Sequence, residues 1–168
     1  MNKDRTQSAR RIFNTPFDIG LRSLFILRES KGSFDLQSLV YLDYFLVHSG
    51  DIQGGPKSLH PDAQFRAGEI LIKRKLMKDG LKIMHLKQLV DVKPEKEGIY
   101  YMRNKLTNPF LNHCSSAYAR ELQKRAKWVH KKFGRYNEVQ LKRYVSTNLQ
   151  KWGVEFVNNV SIAKTEKL

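Results

Sequence analysis

The sequence predicts a mainly α-helical fold with a small β-hairpin, in which a winged helix-turn-helix core is extended by long C-terminal helices. Apolar residues recur at helical spacing through most of the chain. The segment 89–103 instead alternates apolar and polar residues on both sides of a turn. A helix that runs into a hairpin after two earlier helices is the order of a winged helix.

A single domain is expected from a length of 168 residues. Hydrophobic residues make up 40% of the chain, enough to bury one sizeable core. We expect a flexible basic arm at 1–15, one winged-helix domain with its C-terminal helices at 16–156, and a tail at 157–168.

Two apolar helices open the predicted domain. Pro16 begins the first, and Asp35 stands where an N-cap would begin the second. The loop that follows, 48–61, is rich in turn formers and longer than most helix connections. We interpret it as a rigid structural loop. Its marker residues are His48, Asp51, Gly55, Pro56, His60 and Pro61.

A third helix is predicted at 63–78, with Leu71 inward, Lys73 outward and Gly80 as its C-cap. A short helix at 81–88 then leads into the hairpin. Its strands are expected at 89–93 and 99–103, on either side of a turn at 94–98.

The remaining residues are predicted to be helical. Asn108 and Pro109 suggest the start of a helix of about 25 residues that ends at Gly134. The last helix is expected to run from the N-cap Asn137 to Gly153.

The charge is strongly positive and unevenly placed. The formal net charge is +15, and residues 69–135 contribute 17 Lys and Arg against 6 Asp and Glu. Such a concentration favours a polyanion such as double-stranded DNA, although an acidic protein or a merely solvated surface remains an alternative.

Two basic groups are the candidate binding residues. The third helix and the hairpin would form a phosphate-facing surface, and the long helix would offer a second row to a protein partner. The predicted DNA-binding residues are Lys73, Arg74, Lys78, Lys82, Lys87, Lys93, Lys96 and Arg103. The predicted partner-binding residues are Arg120, Lys124, Arg125, Lys131 and Lys132.

No motif in the chain supports catalysis. The stretch 54–58 lacks the spacing of a phosphate-binding loop, and Pro56 removes a needed N–H. His48, Asp51 and His60 match no metal-ligand spacing. The sequence therefore predicts a protein that is not an enzyme and has no catalytic residue, metal or cofactor.

The composition also points to a compartment. There is one cysteine, Cys114, so no intrachain disulfide can form. The N-terminus lacks the apolar core of a signal peptide, and no apolar run is long enough to cross a bilayer. We expect a cytoplasmic protein that does not enter the membrane.

Several segments together resemble the middle component of bacterial ABC-three-component systems, which include the Lamassu-like antiviral defence group. They are PFDIGLR at 16–22, LDY at 42–44, HSGD at 48–51, GPKSLHP at 55–61, the wing region 80–101 and the segment 119–129.

The resemblance implies a non-catalytic winged-helix adaptor subunit that bridges an SMC-like ABC ATPase, an effector that is often a nuclease, and DNA. It defines no DNA-contacting residue, so the basic surfaces above come from the residues alone. A free-standing winged-helix transcriptional regulator, binding its operator as a dimer, is the alternative.

Overall fold

The computed structural model describes residues 14–61 and 66–152. The elements follow the order helix, strand, helix, helix, strand, strand, and then three more helices. They are α1 (Pro16–Glu29), β1 (Phe34–Asp35), α2 (Leu36–Val47), a 3-10 turn (Ser49–Asp51), α3 (Arg66–Leu86), β2 (Val90–Glu95), β3 (Gly98–Arg103), α4 (Thr107–Asn112), α5 (Ala117–Phe133) and α6 (Glu138–Trp152).

The fold class is confirmed: the chain is mostly helical, with a small antiparallel sheet of the winged-helix kind. The sheet has the order β1-β3-β2, and Tyr101 of β3 pairs with Phe34 on one side and Val92 on the other. The sequence did not predict β1, because a two-residue strand is too short to show alternation.

The predicted starts of three helices are correct. Thr15 caps α1 through a reciprocal pair of hydrogen bonds with Asp18. Asp35 accepts from the backbone N–H of Ser38 at the start of α2, and Asn137 accepts from that of Gln140 at the start of α6.

The predicted break at Gly80 is wrong, because α3 continues through it to Leu86. Gly80 instead lies at the crossing with α1, where a Cβ atom on it would stand 2.3 Å from the backbone oxygen of Pro16. A Cβ atom on Gly20 would stand 2.6 Å from the oxygen of Gly80. This pair of glycines lets the two backbones touch.

The continuous helix also reverses two predicted side-chain directions. Leu71 is 71% exposed, whereas Lys73 is 2% exposed. The buried side of α3 includes Met77, Leu81 and Met84, and Lys73 shares that side because it lies four residues before Met77.

The long helix predicted from Asn108 is divided. The short helix α4 ends at Asn112, and α5 begins after Ser116, whose side chain caps it. Gly134 is the C-cap of α5, as predicted. The hairpin strands are longer than expected, so the predicted five-residue turn shrinks to Lys96 and Glu97.

The core is formed by α1 and α2, and both α3 and α5 pack against this pair. Direct contact between α3 and α5 is slight. Their outer faces are therefore separate surfaces. The predicted arm up to residue 13, the start of the third helix at 63, the end of the last helix at 153 and the tail at 157–168 lie outside the described residues.

Candidate functional site

A buried cluster of charged side chains joins the first three helices. Arg22 of α1 donates from Nε to Asp43 Oδ1 of α2 at 2.6 Å and from Nη2 to Oδ2 at 3.0 Å. Lys73 of α3 places its Nζ 3.2 Å from the same carboxylate. All three side chains are at most 2% exposed. Two cations thus share one buried carboxylate.

Glu69 extends this cluster to the start of the loop. Its Oε1 lies 3.1 Å from Lys73 Nζ and 2.9 Å from His48 Nε2. A second carboxylate therefore balances the second cation. The buried charged cluster, defined as Arg22, Asp43, Lys73, Glu69 and His48, holds two acidic and two basic groups around one imidazole.

The electrostatics of the cluster favour the charged forms. Burial alone would raise the pKa of Asp43, but Arg22 and Lys73 hold it well below its usual range. Burial also opposes ionisation of Glu69, yet the hydrogen bond from His48 and the charge of Lys73 lower its pKa to about 2. The carboxylates stay ionised because their partners are fixed beside them.

The loop 48–61 is bonded to α2, α3 and α5 through Asp51, His48 and His60. Asp51 accepts from Tyr44 Oη at 2.5 Å, and His60 Nε2 lies 2.7 Å from Tyr118 Oη on α5. Gly55 is packed so tightly that a Cβ atom there would stand 2.0 Å from the backbone oxygen of Ser49. Because there is no room for a Cβ atom, only glycine fits at this position.

Two predicted partner-binding residues also hold this loop. Arg125 Nη2 donates to the backbone oxygen of Lys57 at 2.8 Å, and Lys132 Nζ donates to that of Gln53 at 2.9 Å. The other three, Arg120, Lys124 and Lys131, are exposed on the outside of α5. Together with Lys127 they form a line down the helix. We call Arg120, Lys124, Lys127 and Lys131 the α5 row.

The polar residues of the loop, for which the sequence predicts no metal, are bonded to other side chains. His48, Asp51 and His60 bond to side chains on three different helices. In the described ranges no group of three or more His, Cys, Asp and Glu residues could hold a metal ion.

The predicted DNA-binding residues fall into two groups. Lys73 is a correction, because its ammonium is sealed in the buried charged cluster and cannot reach a phosphate. Arg103 donates to the backbone oxygen of Arg28, and Lys93 pairs with Glu95 at 2.8 Å. The remaining residues are exposed and, with Lys75, form what we call the wing face. Its basic members are Arg74, Lys75, Lys78, Lys82, Lys87 and Lys96.

The wing face also carries large apolar side chains. Leu71 and Ile72 are 71% and 65% exposed at one end of α3, and Leu86 is 72% exposed at the other. Ile99, just after the hairpin turn, is 54% exposed. In contrast, none of the large apolar side chains between 117 and 133 is among the exposed ones. The two basic surfaces therefore differ in chemistry.

Sequence reasoning missed the buried charged cluster. Arg22, Asp43 and Glu69 lie far apart along the chain and match no motif. An arginine in one strongly apolar helix and an aspartate in the next are a usable signal, because a buried charge requires a partner.

No helix within the described ranges is long and apolar enough to span a bilayer. A family model described as "ABC-three component (ABC-3C) system Middle Component 2" matches residues 12–155. No curated protein and no solved structure gives a significant match. Since the matched range covers most of the 168 residues, the chain belongs to the Middle Component 2 family of ABC-three-component systems.

Proposed function

We propose that this protein is a non-catalytic adaptor that joins an SMC-like ABC ATPase, an effector subunit and double-stranded DNA. The observation that carries the proposal is the pair of separate basic surfaces, the wing face and the α5 row, on helices that both pack on the α1–α2 core. A chain with two such surfaces can hold two partners at once. Membership in a middle-component family supports the same role.

The finer assignment is a Lamassu-like antiviral defence system in the cytoplasm, with a nuclease as the effector. Its support is the sequence resemblance. In this arrangement the ATPase and the effector supply the chemistry, and the adaptor sets their position relative to DNA.

The absence of catalysis is part of the proposal. Its support is that the strongest assembly of ionisable groups, the buried charged cluster, holds its charges in mutual ion pairs, and within it only Glu69, at 22% exposed, is partly open to solvent. A general acid or base must reach a substrate proton within hydrogen-bond distance. The loop histidine His60 is likewise bonded to Tyr118.

The test of the adaptor role is co-purification from the native operon with a tag on this chain. We expect the ATPase and the effector to be recovered together, and to separate when this subunit is omitted. Recovery of this chain alone, as a dimer that protects one palindromic duplex, would instead establish the transcriptional-regulator alternative.

The catalytic part has its own test. The purified chain is incubated with duplex DNA, ATP and peptide substrates in the presence of magnesium, manganese or zinc. We expect no turnover. Turnover that disappears in a His48→Ala or His60→Ala variant with unchanged thermal stability would contradict the non-catalytic proposal.

A further inference from the structure

The α5 row and the wing face differ in charge density. The segment 117–135 holds seven basic residues against one acidic residue, Glu121. The segment 66–103 is twice as long and holds ten basic residues against five acidic ones. Both segments have cations that bond within the fold: Lys73, Arg74, Lys93 and Arg103 in the longer one, and Arg120, Lys124, Arg125 and Lys132 in the shorter one. The net charge is +6 over the 19 residues of the shorter segment and +5 over the 38 residues of the longer one. The positive field is therefore more concentrated along α5.

The α5 row has a regular geometry. Its four members are separated by four, three and four residues, which places them on one side of the helix. The buried side of α5, which includes Leu122, Ala126 and Val129, faces away from them. The row spans about 16 Å at 1.5 Å per residue. One strand of B-DNA carries about five phosphates over that length.

We propose that the α5 row, and not the wing face, binds the phosphate backbone of double-stranded DNA. This inference rests on the proposed function, since it takes DNA as one of the adaptor's partners. It reverses the assignment of the two basic surfaces that the sequence predicts.

The apolar residues of the wing face are the second argument. Leu71 and Ile72 are adjacent and both exposed, and a phosphate backbone offers no apolar partner to such a pair, whereas a protein surface can. The α5 row offers only point charges, three of them lysines. Lysine is depleted at protein–protein interfaces but is sufficient for binding that ignores base sequence. DNA therefore fits the α5 row better than a protein does.

The neighbouring groups on α5 are compatible with this role. Glu121 is paired with Lys124 at 2.6 Å, so the single carboxylate on this segment is already neutralised. Lys124 is 68% exposed, and when it turns to a phosphate Glu121 keeps Arg125, whose Nη1 lies 3.8 Å from Glu121 Oε2. The side chains of Arg125 and Lys132 hold the loop and support the row from beside it.

The experiment compares two triple variants of the full chain. One is Lys124→Gln, Lys127→Gln and Lys131→Gln, and the other is Lys75→Gln, Lys78→Gln and Lys82→Gln. Each removes three exposed lysines from the outer side of one helix, so the net charge of the two proteins is identical. Binding to two labelled duplexes of unrelated sequence is titrated over a salt series, with thermal unfolding as the folding control.

We expect the α5 variant to make the slope of log K against log salt shallower by about 2 to 3, since each phosphate contact contributes about 0.9. The α3 variant should keep the wild-type slope. Equal flattening in both variants, or flattening in the α3 variant alone, overturns the proposal. Loss of ATPase capture by the α5 variant, with its DNA slope unchanged, assigns the row to an acidic protein and also overturns it.

The failure of this inference is distinguishable from failure of the adaptor role. If the wild type binds duplex DNA but the α5 variant keeps its slope, only the assignment of the surface is wrong. If the wild type neither binds duplex DNA nor co-purifies with the ATPase and the effector, the adaptor proposal itself fails.

Discussion

Lys73 and Lys75 are two residues apart on the same helix and have opposite roles. Lys73 lies between Asp43 and Glu69 and is closed to solvent, whereas Lys75 is exposed on the wing face. Neighbours two apart on a helix point in directions about 200° apart, so one side of α3 is core and the other is surface. Charge within the core fixes the helices to one another, and charge outside it is available to partners.

Buried and exposed charges should differ most in their effect on stability when a buried charge loses its partner. Asp43→Asn leaves Arg22 and Lys73 buried without their shared carboxylate, which should lower the free energy of unfolding by about 3 to 5 kcal/mol. Asp79→Asn removes an exposed carboxylate and should change the free energy of unfolding by less than about 0.5 kcal/mol. Urea unfolding of both variants measures this contrast. Equal effects would mean that the buried charged cluster does not stabilise the fold.

The second expectation concerns pH and the histidine beside this cluster. Burial, followed by the charges of Arg22 and Lys73, lowers the pKa of His60 to about 4, although Asp43 opposes the shift. Between about pH 6.5 and pH 4 the unfolded chain therefore binds a proton that the folded chain does not. The free energy of unfolding should fall as the pH falls through this window, by about 3 kcal/mol at most at 1.36 kcal/mol for each pKa unit.

The measurement is the free energy of unfolding in urea at several pH values for the wild type and a His60→Gln variant. We expect the variant to show a shallower dependence between pH 6.5 and pH 4.5. Below pH 4.5 both proteins should lose further stability, because Glu69 has a folded pKa of about 2 and its contribution is lost on protonation. An unchanged slope in the variant would exclude His60 as the source.

A third expectation concerns the crossing of α1 and α3, which brings Lys73 to its partners. Alanine normally stabilises a helix by about 1 kcal/mol relative to glycine. At Gly80 the added Cβ atom would stand 2.3 Å from the oxygen of Pro16, so Gly80→Ala should instead destabilise by about 1 to 3 kcal/mol. Gly32→Ala is the control, since its Cβ atom would meet nothing closer than Ser30 Oγ at 3.8 Å. A stabilised Gly80→Ala protein would contradict the close crossing.

Patterns along the chain predicted the fold class but not the contacts between distant segments. Asp35 and Asn137 were correctly assigned as N-caps because a cap is a local feature. The sequence predicts a helix end at Gly80 because nothing local shows its tight neighbour, Gly20, which is sixty residues away in the chain. The sequence predicts an exposed Lys73 for the same reason, since its partner Asp43 lies on another helix.

For the candidate surfaces, too, local features can be predicted from the sequence and contacts between distant segments cannot. The sequence predicts that the basic residues lie on the surface, and Lys78, Lys82 and Lys124 are exposed. It could not show that Arg125 and Lys132 would be used to hold the loop, because those bonds reach residues nearly seventy or more positions away. The charges that a surface offers to a partner are those that do not already bond within the fold.

The smallest expected effect is a stabilisation, in contrast to the destabilisation expected from Asp43→Asn. Lys78 is exposed on α3, with Arg74 four residues before it, Lys75 three residues before it and Lys82 four residues after it. Like charges at these spacings destabilise a helix by about 0.2 to 0.5 kcal/mol for each pair. Removing three such pairs by Lys78→Gln should therefore raise the free energy of unfolding by about 0.6 to 1.5 kcal/mol at low salt.

Salt separates this repulsion from other causes. At 1 M salt the screening length is about 3 Å, so the gain from Lys78→Gln should disappear. Lys73→Gln is the matched change on the buried side and should destabilise at both salt concentrations, because the Lys73 ammonium and its partner Asp43 are buried. Urea unfolding of both variants at low and high salt, each compared with the wild type, measures these changes in the free energy of unfolding. A gain at Lys78 that survives 1 M salt would show that helix propensity or packing, and not like-charge repulsion, governs the exposed side of α3.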